Sequence, residues 1–373
     1  MSKPRLIPSS LAELQALCCS CGLPKSGTKA VLSQRLRLAA KQFQPVLPTA
    51  RILSIDLGLK NFAFSLLTPA SPSPSPSSLI TRPPQSADAP LAMPVHLHAW
   101  HRLDLTSPTL FTSTAKTTEL DDPSPPPSPN PASEEAFSPT ALAALTLHLV
   151  KNHLLPLEPT HVLIERQRYR TGGGAAVFEW TLRVNTLEAM LHAVFAALQG
   201  GCWEGRVEAV LPKAVSGFLF PDGTDVEAEG NVNGEERGEG GLRIEDGDGK
   251  GKGKGKGSGK MKGKGKNAGY LLLKKGKVDL LRSWLGEEGR EGRGLVIPRT
   301  TQARDMVRLF GDVFERGKTV DKKEKQGIKI KRAMVGKLDD LSDSVLQGMV
   351  WLRWQRNLAD MIKARPELLE DEK

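Results

Sequence analysis

A chain of 373 residues with a formal charge of +10 and a pI of about 9.4 has room for one large domain or two ordinary ones, and it favours an acidic partner such as nucleic acid. No apolar run approaches the ~20 residues that a bilayer-spanning helix needs, so a membrane-embedded role is excluded. Cys18, Cys19 and Cys21 crowd into one segment and Cys202 stands far away, which excludes a disulfide framework and fits a reducing compartment.

The first dozen residues carry Lys3 and Arg5 and no acid, a faint organellar-targeting flavour without the length or the amphipathic Arg/Ser pattern of such a peptide. Residues 9–41 predict a small helical unit. Leu11, Leu14 and Leu17 share a helical face, Gly22-Leu23-Pro24 interrupts, and Ala30, Leu32, Leu36 and Leu38 resume behind a Ser26-Gly27-Thr28 cap. Pro45 to Pro48 reads as a linker.

RILSIDLGLKNFAFSLL, residues 51–67, predicts a hairpin with Asp56 at the end of its first strand and Gly58 in the turn. Ser and Pro dominate from about 68 to 90 and again from 106 to 139, and neither stretch can bury enough apolar surface to offset its ordering entropy. Between them PVHLHAWHRLDL alternates like a third strand. The tracts therefore read as disordered insertions around a sheet.

Ala141 to Leu155 predicts an amphipathic helix, His161 to Glu165 a buried strand ending in an acid, Glu179 to Gln199 a long helix, and Val207 to Leu211 a further strand. A third insertion, about 222–268, is rich in Gly and Lys. Its stretch from Asp222 to Lys266 holds eight Lys, two Arg and ten Asp/Glu, so it is neutral and the whole surplus of positive charge lies elsewhere. Tyr270 to Leu285 and Leu338 to Arg356 predict the last helices. Alternating helices and strands with acids at strand ends make an α/β pattern with a mixed sheet.

Three acidic positions fall where elements begin or end: Asp56, Glu165, and the group Asp339, Asp340 and Asp343. Phosphodiester hydrolysis by paired divalent cations needs such hard oxygen ligands. Asp340 and Asp343 are i, i+3 and Asp339 and Asp343 i, i+4, so either pair shares one helix face. Each acid alone has an ordinary reading: turn chemistry at Asp56, a strand end paired with Arg166 at Glu165, dipole compensation at Asp339 and Asp340. Asp343, inside the apolar run LSDSVLQGMVWL, is harder to place that way, because burying it unpaired costs several kcal/mol. One shared metal site accounts for all of them.

IDLGLKNFAFS resembles the first motif of the RuvC-like branch of the ribonuclease H superfamily at Asp56, Gly58 and Asn61. IERQRYR, NTLEAML and KLDDLSDSVLQ resemble the fungal mitochondrial Holliday-junction resolvases. LAELQALCCSCGLPKSGTKAVLSQRL resembles the SAP motif, a helical DNA-binding unit also found at the front of that family. The resemblance implies a ribonuclease-H-like mixed sheet flanked by helices over residues 50–357, plus a SAP-like unit at 9–41. It implies mitochondrial location and Mg²⁺-dependent cleavage of four-way junction DNA by a homodimer, with Mn²⁺ the alternative ion. On this sequence the catalytic acids and metal ligands become Asp56, Glu165, Asp343 and Asp340, with Asp339 the close second to Asp340. Lys25, Lys29, Lys60, Arg166, Arg168, Arg170, Lys274, Lys275, Lys331, Arg332 and Lys337 are the expected phosphate-binding residues. Two other readings stay open: another ribonuclease-H-like nuclease or transposase relative, and a SAP-anchored DNA-binding protein with an idle core.

Overall fold

The hairpin signal at residues 51–67 folds as written. Strand β1 (Ile52–Asp56) runs antiparallel to β2 (Phe62–Pro69), pairing Ile55 with Phe64 and Asp56 with Ala63. The computed structural model describes residues 10–70, 93–107, 137–167, 179–221, 264–285, 294–316 and 338–369. β3 (Val95–Leu103) extends the meander, with a bulge between Leu66 and Leu67. β4 (His161–Glu165) lies parallel to β1, and β5 (Arg206–Val210) parallel to β4. A short β6 (Val296–Pro298) adds itself parallel to β3, giving the mixed order β5-β4-β1-β2-β3-β6.

Among the described residues the α-helices are α1 (Leu11–Ser20), α2 (Lys29–Gln42), α3 (Pro139–Leu149), α4 (Glu179–Leu198), α5 (Pro212–Leu219), α6 (Lys264–Trp284), α7 (Thr301–Arg316) and α8 (Leu338–Ala364). One face of the sheet is covered by α3 and α4, where Leu53, Ile55 and Phe64 meet Leu145, Leu187 and Phe195. The other is covered by α5 to α8, where Ile52, Leu67 and Leu163 meet Leu281, Phe310 and Leu346. Strands buried on both faces read as continuous apolar runs, which is why ILSI and HVLI show no alternation. The ribonuclease-H-like arrangement of a mixed sheet between helices is thus present. The predicted helix at 270–285 begins six residues earlier, at Lys264, inside the expected insertion, and the insertion expected from 68 begins after β2, which runs to Pro69. α5, α7 and β6 had no counterpart among the sequence expectations.

α8 organises the second face. At 27 residues it is about 40 Å long, and it crosses the sheet closely because position 348 is glycine. A Cβ there would sit 2.7 Å from Leu67 Cδ1 and 3.2 Å from Ser54 Cβ. Its far end packs against the N-terminal pair: Leu14, Cys18, Leu32 and Leu36 form one cluster with Leu358 and Met361. Ser10 and Glu13 make a capping box on α1, and Thr28 caps α2. Gly22, between the two helices, has φ 73° and lies where a Cβ would come within 2.4 Å of the Trp354 ring, so both backbone and space require glycine.

Candidate active site

β1 and β4 are parallel neighbours, so their C-terminal residues emerge side by side. Ile55 pairs with Ile164, and Asp56 and Glu165 follow at the same edge. The opening turns of α8 bring Asp339, Asp340 and Asp343 to that edge, and three buried polar contacts fix where this helix starts. Trp100 Nε1 donates to the Leu341 carbonyl (3.1 Å) and Ser65 Oγ to that of Ser344 (3.0 Å). Gln347, one turn beyond Asp343, places its Nε2 3.2 Å from Ser54 Oγ, 3.2 Å from the Ile55 carbonyl and 3.4 Å from the Leu163 carbonyl. One buried amide therefore links the helix to both acid-bearing strands, just beneath the acids.

The acids act on one another. Burial is the largest influence on Asp56 and holds its carboxyl well above the usual carboxylate range; the charge of Glu165 and a hydrogen bond with it add to this, followed by the charges of Asp343 and Asp340. The Asp343 carboxyl is pushed up to about 6, first by burial; Lys277 opposes the rise, and Glu165 and Asp339 add to it. Two ammonium groups of α6 enter from the side. Lys277 Nζ lies 3.0 Å from Asp343 Oδ1, and Lys274 Nζ 2.5 Å from Asp339 Oδ2. The adjacent aspartates thus differ: Asp340 bears on Asp56, whereas Asp339 is taken by Lys274.

These shifts make stability depend on pH. Between the ordinary aspartate value of 3.8 and about 6, the folded protein keeps a proton on Asp343 that the unfolded chain has released. The contribution of this carboxyl to stability therefore falls as pH rises through that window, while the histidines whose pKa burial lowers act in the opposite sense. In EDTA, Asp343→Asn is expected to change the melting temperature relative to wild type more favourably at pH 7.5 than at pH 5, a comparison in which the histidines cancel. A scan in which the change is the same at both pH values would remove Asp343 as a source of the pH dependence.

The remaining predicted residues are distributed as follows. Lys60 is exposed, with its ammonium 5.9 Å from the centre of the Trp180 ring. The Arg102 guanidinium binds the Asn61 side-chain oxygen (Nε at 3.1 Å) and the Lys60 carbonyl (3.3 Å), clamping the turn that follows Asp56. Arg166 is exposed, its backbone N–H bound to the Val210 carbonyl. Lys275 is exposed beside the site, while Lys25 and Lys29 are exposed on the N-terminal pair at the opposite end of α8. Arg168, Arg170, Lys331, Arg332 and Lys337 lie outside the described residues. Four contributors were missed by sequence reasoning, Arg102 among them. Lys277 follows Lys274 by three residues in KKGK, a spacing that marks one helix face. Gln347 sits four residues after Asp343. Glu188, in NTLEAML, accepts a hydrogen bond from the Gln167 backbone (3.0 Å), while the Gln167 side chain reaches Glu165 at 3.4 Å.

Among the described residues no three Asp, Glu, His or Cys side chains yet converge on one point in coordinating geometry. The donor set nevertheless suits a hard divalent cation: only carboxylate oxygens, mutually repelling, with ammonium groups drawn in between them.

Comparison with known proteins gives a consistent picture. The family described as mitochondrial resolvase Ydc2 / RNA splicing MRS1 matches residues 52–361. The mitochondrial cruciform cutting endonuclease 1 of Schizosaccharomyces pombe is 31% identical over 198 residues, which span 53% of this chain and 60% of that protein. The crystal structure of the yeast mitochondrial Holliday junction resolvase Ydc2 superposes with a TM-score of 0.50 at 22% identity, covering 96% of this chain and 98% of that one.

Proposed function

Because the chain belongs to the mitochondrial resolvase Ydc2 / RNA splicing MRS1 family, we propose that it is a structure-selective endonuclease that cleaves four-way DNA junctions in mitochondrial recombination, acting as a homodimer. The observation that carries this reading is the meeting of acids from three separate elements: Asp56 and Glu165 follow paired residues of adjacent parallel strands, and Asp340 and Asp343 lie on the opening turns of α8, near enough that all three neighbours raise Asp56. A fold gains nothing from such repulsion; a site that receives cations does.

Asp56, Glu165, Asp340 and Asp343 would hold Mg²⁺, or Mn²⁺ in its place, with Asp339 left to Lys274. When bound, the metal supplies an activated water and neutralises charge on the scissile phosphate. The chain's own residues set the conditions. Gln347 keeps β1, β4 and α8 in register, so the four carboxylates are presented from fixed backbones at one edge of the sheet. The Arg102 clamp holds the Asn61 turn beside them. Exposed Lys60 and Arg166 meet flanking phosphates, and the SAP-like unit of residues 9–41 offers Lys25 and Lys29 to a duplex arm.

The test presents labelled four-way junction, linear duplex, single strand, RNA–DNA hybrid and structured RNA to the purified chain with Mg²⁺ or Mn²⁺. Paired nicks confined to the junction are expected. Preference for hybrid would assign another ribonuclease-H-like activity, and binding of RNA without cutting would move the chain to the splicing side of its family. Sedimentation of the junction complex reads the stoichiometry, and a single protomer per junction would end the homodimer proposal.

A further inference from the structure

The two lysines of α6 are not ordinary surface cations. Lys277 retains 11% of its side-chain exposure and Lys274 33%, and each ammonium is seated on a carboxylate of the cluster. Their spacing of three residues matches that of two successive points on one helix face, and their partners Asp339 and Asp343 are four apart on α8. Two parallel ion pairs therefore join the helices across the cluster. α6 is held independently by Leu281, Trp284 and Leu285, which are buried in the core one to two turns further on. The helix thus needs neither ion pair to stay docked, and a lysine has a flexible four-carbon stem by which its ammonium can swing away while the backbone stays in place.

The geometry points to Lys277 as a placeholder for the metal. It occupies Asp343, a carboxylate that an arriving cation claims, and is then expelled by like charge towards the phosphates of bound DNA, while Lys274 stays on Asp339. This deepens the proposed function and rests on its assignment of the acids. Its consequence is a positive coupling between metal and DNA. Metal without DNA must displace an ammonium with no phosphate nearby to receive its charge, and DNA without metal meets a lysine still committed to Asp343. Together, each supplies what the other needs, and by thermodynamic reciprocity each must tighten the other by the same factor. Exposed Lys275, between the two on the sequence but on another side of the helix, has no part in the exchange and serves as the control.

The experiment measures binding, not cutting. Free Mn²⁺ is counted by electron paramagnetic resonance in DNA-free solutions of wild type, Lys277→Met, Lys277→Arg, Lys275→Met and Asp56→Asn. Junction affinity is measured in EDTA and in Ca²⁺, with cleavage monitored so that only intact junction enters the fit. Methionine keeps the length of the stem without its charge. Lys277→Met should bind Mn²⁺ about tenfold more tightly than wild type, and its junction affinity should rise with Ca²⁺ by a factor about tenfold smaller. Lys277→Arg should restore the coupling in part, and Lys275→Met should match wild type in the Mn²⁺ measurement. Unchanged or weaker Mn²⁺ binding by Lys277→Met would overturn the inference. So would a lower melting temperature with intact coupling, which is the signature of a structural ion pair. If Asp56→Asn binds Mn²⁺ as wild type does, the acid assignment itself fails, and that result is separable from any result on the lysines.

Discussion

Asp56→Asn is expected to slow junction cleavage by about a thousandfold or more while junction affinity in EDTA stays within a few-fold of wild type. Removing one charged ligand from a metal site that stabilises the reaction by several kcal/mol gives a loss of that order. The substitution keeps shape and size, and it relieves the repulsion that Glu165, Asp343 and Asp340 impose. The metal-free variant should therefore melt no lower than wild type, which separates loss of chemistry from loss of fold. Single-turnover cleavage and a thermal scan on the same sample decide the matter. A near-normal rate would move the catalytic centre away from β1.

The second large effect is expected at a residue that touches neither metal nor substrate. Gln347→Leu keeps the volume but leaves Ser54 Oγ and the Ile55 and Leu163 carbonyls facing an apolar side chain. An unsatisfied buried acceptor costs about 1–3 kcal/mol. More important for function, the link between α8 and the ends of β1 and β4 is lost, and displacement of about 1 Å at such a centre can reduce turnover about a hundredfold. The expected pattern is a fall in kcat of that size with junction affinity little changed and metal affinity weakened. Loss of stability with normal kcat would reduce Gln347 to a packing residue. Gln347→Glu should be harsher than leucine on stability, since it buries another negative charge beneath the acids.

Much of this was legible in the sequence, and the boundary of legibility has physical reasons. β1, β2 and β4 are short apolar runs beside an acid or a Gly-containing turn, and their existence follows from composition alone, although β2 runs two residues past its apolar run to Pro69. The long helices follow from their 3.6-residue period. β6 is three residues long and finds its place only by pairing with β3, so no local pattern marks it. α7 has a strongly two-sided sequence but lies between unpatterned segments. At the site, the acids were visible because acids at strand ends are conspicuous. Lys277 and Gln347 were not, because their roles exist only across elements: the lysine reaches from α6 to α8, and the glutamine spans 184 residues to Leu163 and 293 to Ser54. The resemblance of IDLGLKNFAFS, IERQRYR and KLDDLSDSVLQ to the mitochondrial resolvases agrees with the family match over residues 52–361.

The position of α8 in the chain has a consequence for how the protein is made. It is the last of the long elements to leave the ribosome, yet it covers one face of the central strands and supplies Asp340 and Asp343. Domains generally fold as their segments emerge, but here the central strands keep part of their apolar surface exposed until α8 arrives, and contacts so distant in sequence form slowly. A chain that stops short of residue 338 would hold Asp56 and Glu165 and nothing opposite them. Incomplete synthesis or proteolytic loss of the last helix therefore leaves a fragment that cannot assemble the acids. For the DNA-cutting activity proposed above, that failure is the harmless one.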